Sequence, residues 1–170
     1  AYAREHEVLL LEDDHNGELR YQSRLHPAIQ GFDMGKQVIY MRSFSKLLLP
    51  SVRMSFMVLN EKLHHTYQQR KQNYHPSSSK IEQLAFANYL SDGHMEKKIY
   101  RMRRRYEEKS TALMQLWKER LPKETIVLDE SALQLLFYPK RDPDCYVRSA
   151  EAVDILIQRQ RDASIALSFA

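Results

Sequence analysis

Glycine is scarce in this sequence, with 4 among 170 residues, where ordinary composition gives roughly 7%. Neither GxGxxG nor GxxxxGK followed by Ser or Thr occurs, which excludes the glycine-rich loops that cradle phosphates. Cysteine is scarcer still. Cys145 alone excludes an internal disulfide framework and a thiolate metal cluster, so no metal site is expected and a reducing, cytoplasmic setting fits. Long apolar runs are missing too: the best strand core, Val8-Leu9-Leu10-Leu11, falls far short of the roughly 18 residues a membrane span needs. Ala1 to Glu7 already carry Arg4, Glu5 and Glu7, which does not read as a signal peptide.

What is present supports a folded chain. Hydrophobic residues make up 43% and charged residues 28%, enough for a core and against wholesale disorder. The net charge is +4, and the basic excess concentrates between His94 and Arg120, where Lys97, Lys98, Arg101, Arg103, Arg104, Arg105, Lys109, Lys118 and Arg120 fall. Such a cluster could face nucleic acid. The plainer reading is the solvated flank of a helix that buries Ile99, Met102, Tyr106, Leu113, Leu116 and Trp117, with Arg103–Glu107 and Arg104–Glu108 as i,i+4 pairs.

The order of elements reads as α/β followed by α+β. Val8 to Leu11, closed by Glu12-Asp13-Asp14, has the pattern of a buried parallel strand at its carboxyl end. Turns are expected at Asn16-Gly17 and His26-Pro27, and further strands over Lys36–Arg42 and Val52–Leu59, the last set off by Pro50 from the loop Ser43–Leu49. Helices are predicted over Glu61–Asn73 and Lys80–Ser91, broken by His75-Pro76-Ser77-Ser78-Ser79; Asp92-Gly93 ends the second, and a basic helix then runs to about Leu121. After Pro122 the sequence predicts strands over Thr125–Leu128 and Ala132–Tyr138, a loop over Pro139–Pro143, a helix from Ser149 to about Gln160 and a last strand over Ser164–Phe169.

Two polar clusters follow strands: Glu12-Asp13-Asp14-His15 and Ser43-Phe44-Ser45-Lys46. Ligands of open parallel sheets sit beyond such carboxyl ends. A lysine amine there can attack an aldehyde once nearby cations or burial disfavour its ammonium, and Arg53 could supply charge and grip a phosphate. Singly, each has a plain explanation as a cap, turn or surface charge. Ser43-Phe44-Ser45-Lys46 also fits S-x-x-K, but the companion S-D-N and K-T-G elements are absent, which sets the penicillin-binding reading aside.

The strings VLLLEDDHNGELRY, QVIYMRSFSKLLLPSVRMSFMVL and IEQLAFANYLSDGHMEKKIYRMRRRYEEKSTAL together resemble the MocR/GabR family of regulators. In that family a winged helix-turn-helix of the GntR type is fused to an effector domain that is like a fold type I aminotransferase. The resemblance implies the second half of a large cofactor-binding domain with a mostly parallel sheet (1–93), a linking helix (94–121) and a shortened small α+β domain (122–170). It implies pyridoxal 5'-phosphate, with Lys46 as the catalytic lysine that forms a Schiff base, Asp13 pairing with the pyridine nitrogen and Ser43 and Arg53 on the phosphate, with Ser45 beside them. His15 stands where the family has a tyrosine near the ring's 3-hydroxyl, and Ser55-Phe56 replace a Gly-Tyr. The arginine that would read an effector carboxylate has no clear counterpart, Ser164 and Arg161 being the nearest positions. His94 reads as a capping or packing histidine, and the basic helix as part of the effector domain.

The functions implied are effector sensing in a bacterial transcriptional regulator, with an amino acid or amine as effector, a homodimer as the assembly and DNA bound only through a winged helix outside these residues. A true class I/II aminotransferase is the alternative, and a structural fragment without cofactor a third reading. No membrane contact is implied.

Overall fold

A computed structural model of the chain describes residues 2–22, 27–34, 36–48, 51–75, 78–152, 154–155 and 157–169. His26, Leu49, Pro50, Pro76 and Ser77, used above to mark turns and breaks, lie outside the described residues. The chain divides into two compact units, one of Ala1–Gly17 with Leu25–Ile99, the other of Glu18–Arg24 with Tyr100–Ala170.

The first unit opens with a single helical turn, α1 (Tyr2–Glu5), and then strand β1 (Leu10–Asp13). The crossover from β1 contains a short helix that sequence reading passes over, α2 (Ile29–Asp33), and leads into β2 (Val38–Ser43). β1 and β2 run parallel with Leu10 opposite Val38 and Asp13 opposite Met41. β3 (Ser55–Val58) returns antiparallel on the other side of β2, with Ser43 opposite Ser55, so the sheet order is β1-β2-β3.

Side-chain carboxylates hold this crossover at both ends. Glu12 accepts hydrogen bonds from the Ile29 and Gln30 amides at 2.8 and 3.0 Å, satisfying the first free N–H groups of α2. Asp33 accepts from the Gln37 and Val38 amides where β2 begins, and these bonds, that from Gln37 foremost, hold its carboxyl below the ordinary carboxylate range.

α3 (Glu61–Arg70) starts on Asn60, whose side chain accepts from the Leu63 amide at 2.9 Å, and a 3-10 turn extends it through Asn73. α4 (Lys80–Ser91) starts on Ser79, which accepts from Ile81, and ends at Gly93, whose φ of 68° only glycine adopts without strain. α5 (His94–Arg120) follows, and the division between units falls within it.

The second unit carries an antiparallel four-stranded sheet in the order β4-β5-β7-β6: β4 (Thr125–Asp129), β5 (Gln134–Tyr138), β6 (Gln158–Arg159) and β7 (Ile165–Ser168). Leu133, Leu135 and Phe137 alternate onto one face and are buried with Ile165, Ala166 and Phe169. Trp117 from α5 and Tyr146 from α6 (Pro143–Glu151) close on Phe137 with ring centroids 4.6 and 5.0 Å away.

Several expectations are corrected. Val8 to Leu11 are exposed rather than buried, Leu11 by 62%, because the described residues of this unit place no layer over them. The helix expected over Ser149–Gln160 forms at Pro143–Glu151 instead. Asp142 caps it by accepting from the Asp144 amide, and Pro143, with its fixed φ and no N–H, suits the first turn. The end of the expected helix is β6. β5 starts at Gln134, later than Ala132, because Asp129 folds the preceding residues into a turn by accepting from Ser131 and Ala132. On α5, Leu116 lies off the buried stripe, 54% exposed, while Ser110 is wholly buried. Arg104 pairs with Glu108 at 2.9 Å, and Arg103 donates from Nε to the Glu18 carbonyl.

Candidate functional site

Three consecutive carboxylates end β1, and their surroundings separate them. Glu12 caps α2, as described. Asp14 accepts from the Gly17 amide at 2.9 Å, turning the chain into a 3-10 helix (Gly17–Leu19), and from the Tyr40 hydroxyl at 2.7 Å. Asp13 accepts no hydrogen bond among the described residues. It lines a cavity of about 560 Å³ together with His15, Met41, Arg42, Ser43, Ser55, Phe56, Met57, Leu59 and Tyr67.

Ser43 and Ser55 also line a second cavity of about 520 Å³, whose other walls are Ser45, Arg53 and Met54. Ser43 and Ser55 face one another in the β2–β3 register, which is why both hollows reach them. The Ser43 and Ser45 hydroxyls lie 3.0 Å apart, and the Ser45 amide donates to Ser43 Oγ at 3.3 Å. The turn that follows is held by Leu47 and Leu48 amides donating to the Phe44 carbonyl at 3.0 and 2.9 Å. Phe44 is packed between Phe56 and Phe86, and Leu47 is buried, so the turn has an apolar anchor. Lys46 projects from that turn, exposed, and belongs to neither lining.

The structure therefore brings Asp13, His15 and Ser43 to one cavity and Ser43, Ser45 and Arg53 to its neighbour, while Lys46 stands on the turn between the Ser45 and Leu47 positions. Sequence reading missed the cavity's guanidinium, Arg42. Its signal was available, since Tyr40 and Arg42 share one face of β2 at a spacing of two. Burial pulls the Arg42 guanidinium below its ordinary value, against the nearby charge of Asp14. Burial first, and then the bond to Asp14, push the Tyr40 phenol above its ordinary value.

In the second unit Ser164 is buried. Its hydroxyl and amide both donate to Asp162 Oδ1, at 2.7 and 3.1 Å, and those bonds hold the Asp162 carboxyl below the ordinary range. Arg161 is exposed. His94 packs on the Tyr89 ring at 5.4 Å and lies 4.0 Å from Asp92. Among the described residues no helix is long and apolar enough to cross a membrane.

The donor chemistry suits pyridoxal phosphate. A carboxylate that accepts nothing else among the described residues fits a protonated ring nitrogen, and two hydroxyls with a guanidinium fit a phosphate.

Comparison with known proteins points the same way. The chain is 36% identical over 142 residues to the HTH-type transcriptional regulator YhdI of Bacillus subtilis, covering 81% of this chain and 30% of that protein. It is 33% identical over 126 residues to the "Probable rhizopine catabolism regulatory protein MocR" of Rhizobium meliloti, covering 74% and 25%. Its fold matches that of LysN, the α-aminoadipate aminotransferase of Thermus thermophilus, with a TM-score of 0.80 at 22% identity over 99% of this chain and 47% of that one. The chain thus spans about a third or less of the length of these regulators and under half of the solved aminotransferase. Residues 1–160 match the family model of aminotransferase class I and II, and the chain belongs to that family.

Proposed function

We propose that this chain is the cofactor-binding, effector-sensing part of a bacterial transcriptional regulator of the MocR type. The observation that carries the reading is the pair of adjoining cavities, one offering the Asp13 carboxylate and the other Ser43, Ser45 and Arg53. The greater similarity to regulators than to the structurally compared aminotransferase favours sensing over turnover.

In this reading Asp13 faces the pyridine nitrogen of pyridoxal 5'-phosphate and keeps it protonated, and His15 hydrogen-bonds at the ring's 3-hydroxyl. Ser43, Ser45 and Arg53 hold the phosphate. Lys46, exposed on its turn, is the amine that takes the cofactor covalently. When bound, the cofactor supplies an aldehyde carbon that exchanges amine partners and a ring that withdraws electrons from it. An amino acid or amine effector would bind at this site beside Lys46, and its differential affinity for two conformations would shift their populations.

Residues 1–93 then serve as part of the large domain, 94–121 as the linking helix and 122–170 as the small domain. The assembly is a cytoplasmic homodimer that reaches DNA through a winged helix outside these residues.

Borohydride reduction of the full-length protein loaded with pyridoxal phosphate tests this. A pyridoxyl label on the peptide containing Lys46 is expected; label elsewhere, or none, overturns the assignment. Asp13→Ala is expected to weaken cofactor retention more than Asp14→Ala, and the reverse order would exchange their roles. Steady turnover of an amino donor with a keto acid would favour the aminotransferase reading, in which Lys46 moves the proton.

A further inference from the structure

The end of β1 holds a chain of polar contacts that the cofactor reading leaves unused. Arg42 Nη1 donates to the Tyr40 hydroxyl at 3.4 Å, and that hydroxyl donates to Asp14 Oδ2 at 2.7 Å. Asp14 Oδ1 accepts from the Gly17 amide at 2.9 Å, and the Asp14 amide donates to the Met41 carbonyl at 3.0 Å. Asp14 is thus pinned through three atoms, and its two neighbours in sequence, Asp13 and His15, are the residues that line the cavity. A residue fixed on both backbone and side chain fixes the direction in which its neighbours leave the strand.

We propose that Tyr40 is a positioning residue: by holding Asp14 it fixes Asp13 and His15 on the cavity wall, and so sets the affinity and orientation of pyridoxal phosphate there. The inference rests on the cofactor reading given above and adds a residue that is not among those lining either cavity. Three observations support it. Tyr40 is itself steadied, with Phe56 packed at 5.9 Å on one side and Arg42 on its hydroxyl. Its phenol is held protonated by burial and by Asp14, so it remains a donor. At the far end of the brace the Asp14 carboxylate lies close against Gly17, where a Cβ would meet its oxygens at 2.4 and 2.8 Å. Glu12, the remaining carboxylate near Tyr40, is directed to α2 and does not compete for the hydroxyl.

The test uses the full-length protein, pyridoxal phosphate as probe, and the variants Tyr40→Phe, Asp14→Asn and their combination. Tyr40→Phe keeps the ring and removes the donor. The dissociation constant for pyridoxal phosphate is expected to rise about tenfold, the low end of what loss of one hydrogen bond to a charged group would give. The induced circular dichroism band of the bound chromophore is expected to weaken, while borohydride still labels Lys46. The double variant is expected to lose no more than the weaker-binding single variant, since both act on one contact.

Unchanged affinity and an unchanged dichroic band in Tyr40→Phe overturn the inference, as does strict additivity in the double variant. If Tyr40→Phe does not fold, Asp14→Asn carries the same test, because it keeps a carbonyl for Gly17 and gives up the carboxylate that Tyr40 binds. Absence of label on Lys46 in the unaltered protein overturns the cofactor reading itself. Label there with unaltered binding in every variant overturns only the brace.

Discussion

The two sheets of this chain are held by different means. In the second unit, β5 and β7 bury Leu135, Phe137, Ile165 and Ala166, with Trp117 and Tyr146 packed on Phe137, so the sheet supplies its own hydrophobic stabilisation. In the first unit, every residue of β3 is exposed and Met57 shows 53% of its surface. Beside the apolar anchor that Phe44 and Leu47 give the turn after β2, carboxylates order that sheet within the described residues: Glu12 and Asp33 at the crossover and Asp14 at the end of β1. A strand pattern alone does not reveal which kind of support it will receive.

Truncation of the apolar core should separate the units most strongly. Leu135→Ala is expected to cost about 2–5 kcal/mol, whereas Leu11→Ala, at a site 62% exposed, should stay within about 0.5 kcal/mol. Trp117, the single tryptophan and packed on Phe137, reports unfolding of the second unit by fluorescence. Equal losses from the two substitutions would erase the contrast.

The polar support of the first unit has its own probe. Gly17→Ala is expected to cost about 1–3 kcal/mol by forcing Asp14 aside, while Gly31→Ala, with nothing within 4 Å of its added Cβ, should gain about 0.5–1 kcal/mol in α2. Hydrogen exchange of the β1 and β2 amides would distinguish them. Removing a helix cap is a smaller change of the same kind: Asn60→Ala should lose about 1 kcal/mol, read as faster exchange in the first turn of α3.

The smallest effect is acid sensitivity. The carboxyl of Asp33 in the first unit is lowered below its ordinary range by the Gln37 and Val38 amides. For Asp129 in the second, burial would raise the carboxyl, but hydrogen bonds from Ser131, Ala132 and Gln134 outweigh it and lower it. A lowered folded-state pKa contributes stability that is present above the unfolded carboxyl pKa and lost as pH falls through the folded one. Asp33→Asn should therefore flatten the acid limb of hydrogen-exchange protection in β2, and Asp129→Asn that of Trp117-detected unfolding. An unchanged acid limb in either variant would show that its carboxylate is not the group titrating.

Much of this fold was legible because its signals are local. Ser79 before an apolar-periodic run and Gly93 after it bound α4 where the sequence places it, and the basic run forms α5 as one continuous helix. The misses have non-local causes. α2 has only five residues, and its cap comes from Glu12, 17 positions earlier in the chain. The burial of Ser110 and the exposure of Leu116 depend on which neighbours α5 meets, which periodicity alone does not specify. At the candidate site, the motif residues Asp13, His15, Ser43, Ser45 and Arg53 reach the two cavities, but the distinct tasks of Glu12, Asp13 and Asp14 could not be read from three adjacent acidic letters. They depend on partners at Ile29, Tyr40 and Gly17.

The interleaved order of the units has a consequence for synthesis. The segment after Gly17 joins the second unit, where the Tyr21 and Gln22 amides both bond Glu130, 109 and 108 residues further on. As the chain leaves the ribosome, that segment must remain without its carboxylate partner until the whole of the first unit and all of α5 have emerged. Cutting the gene between Ile99 and Tyr100 would therefore strand one piece of the second unit on the wrong polypeptide, and two separately expressed halves would have to exchange it before either matched its place in the intact chain.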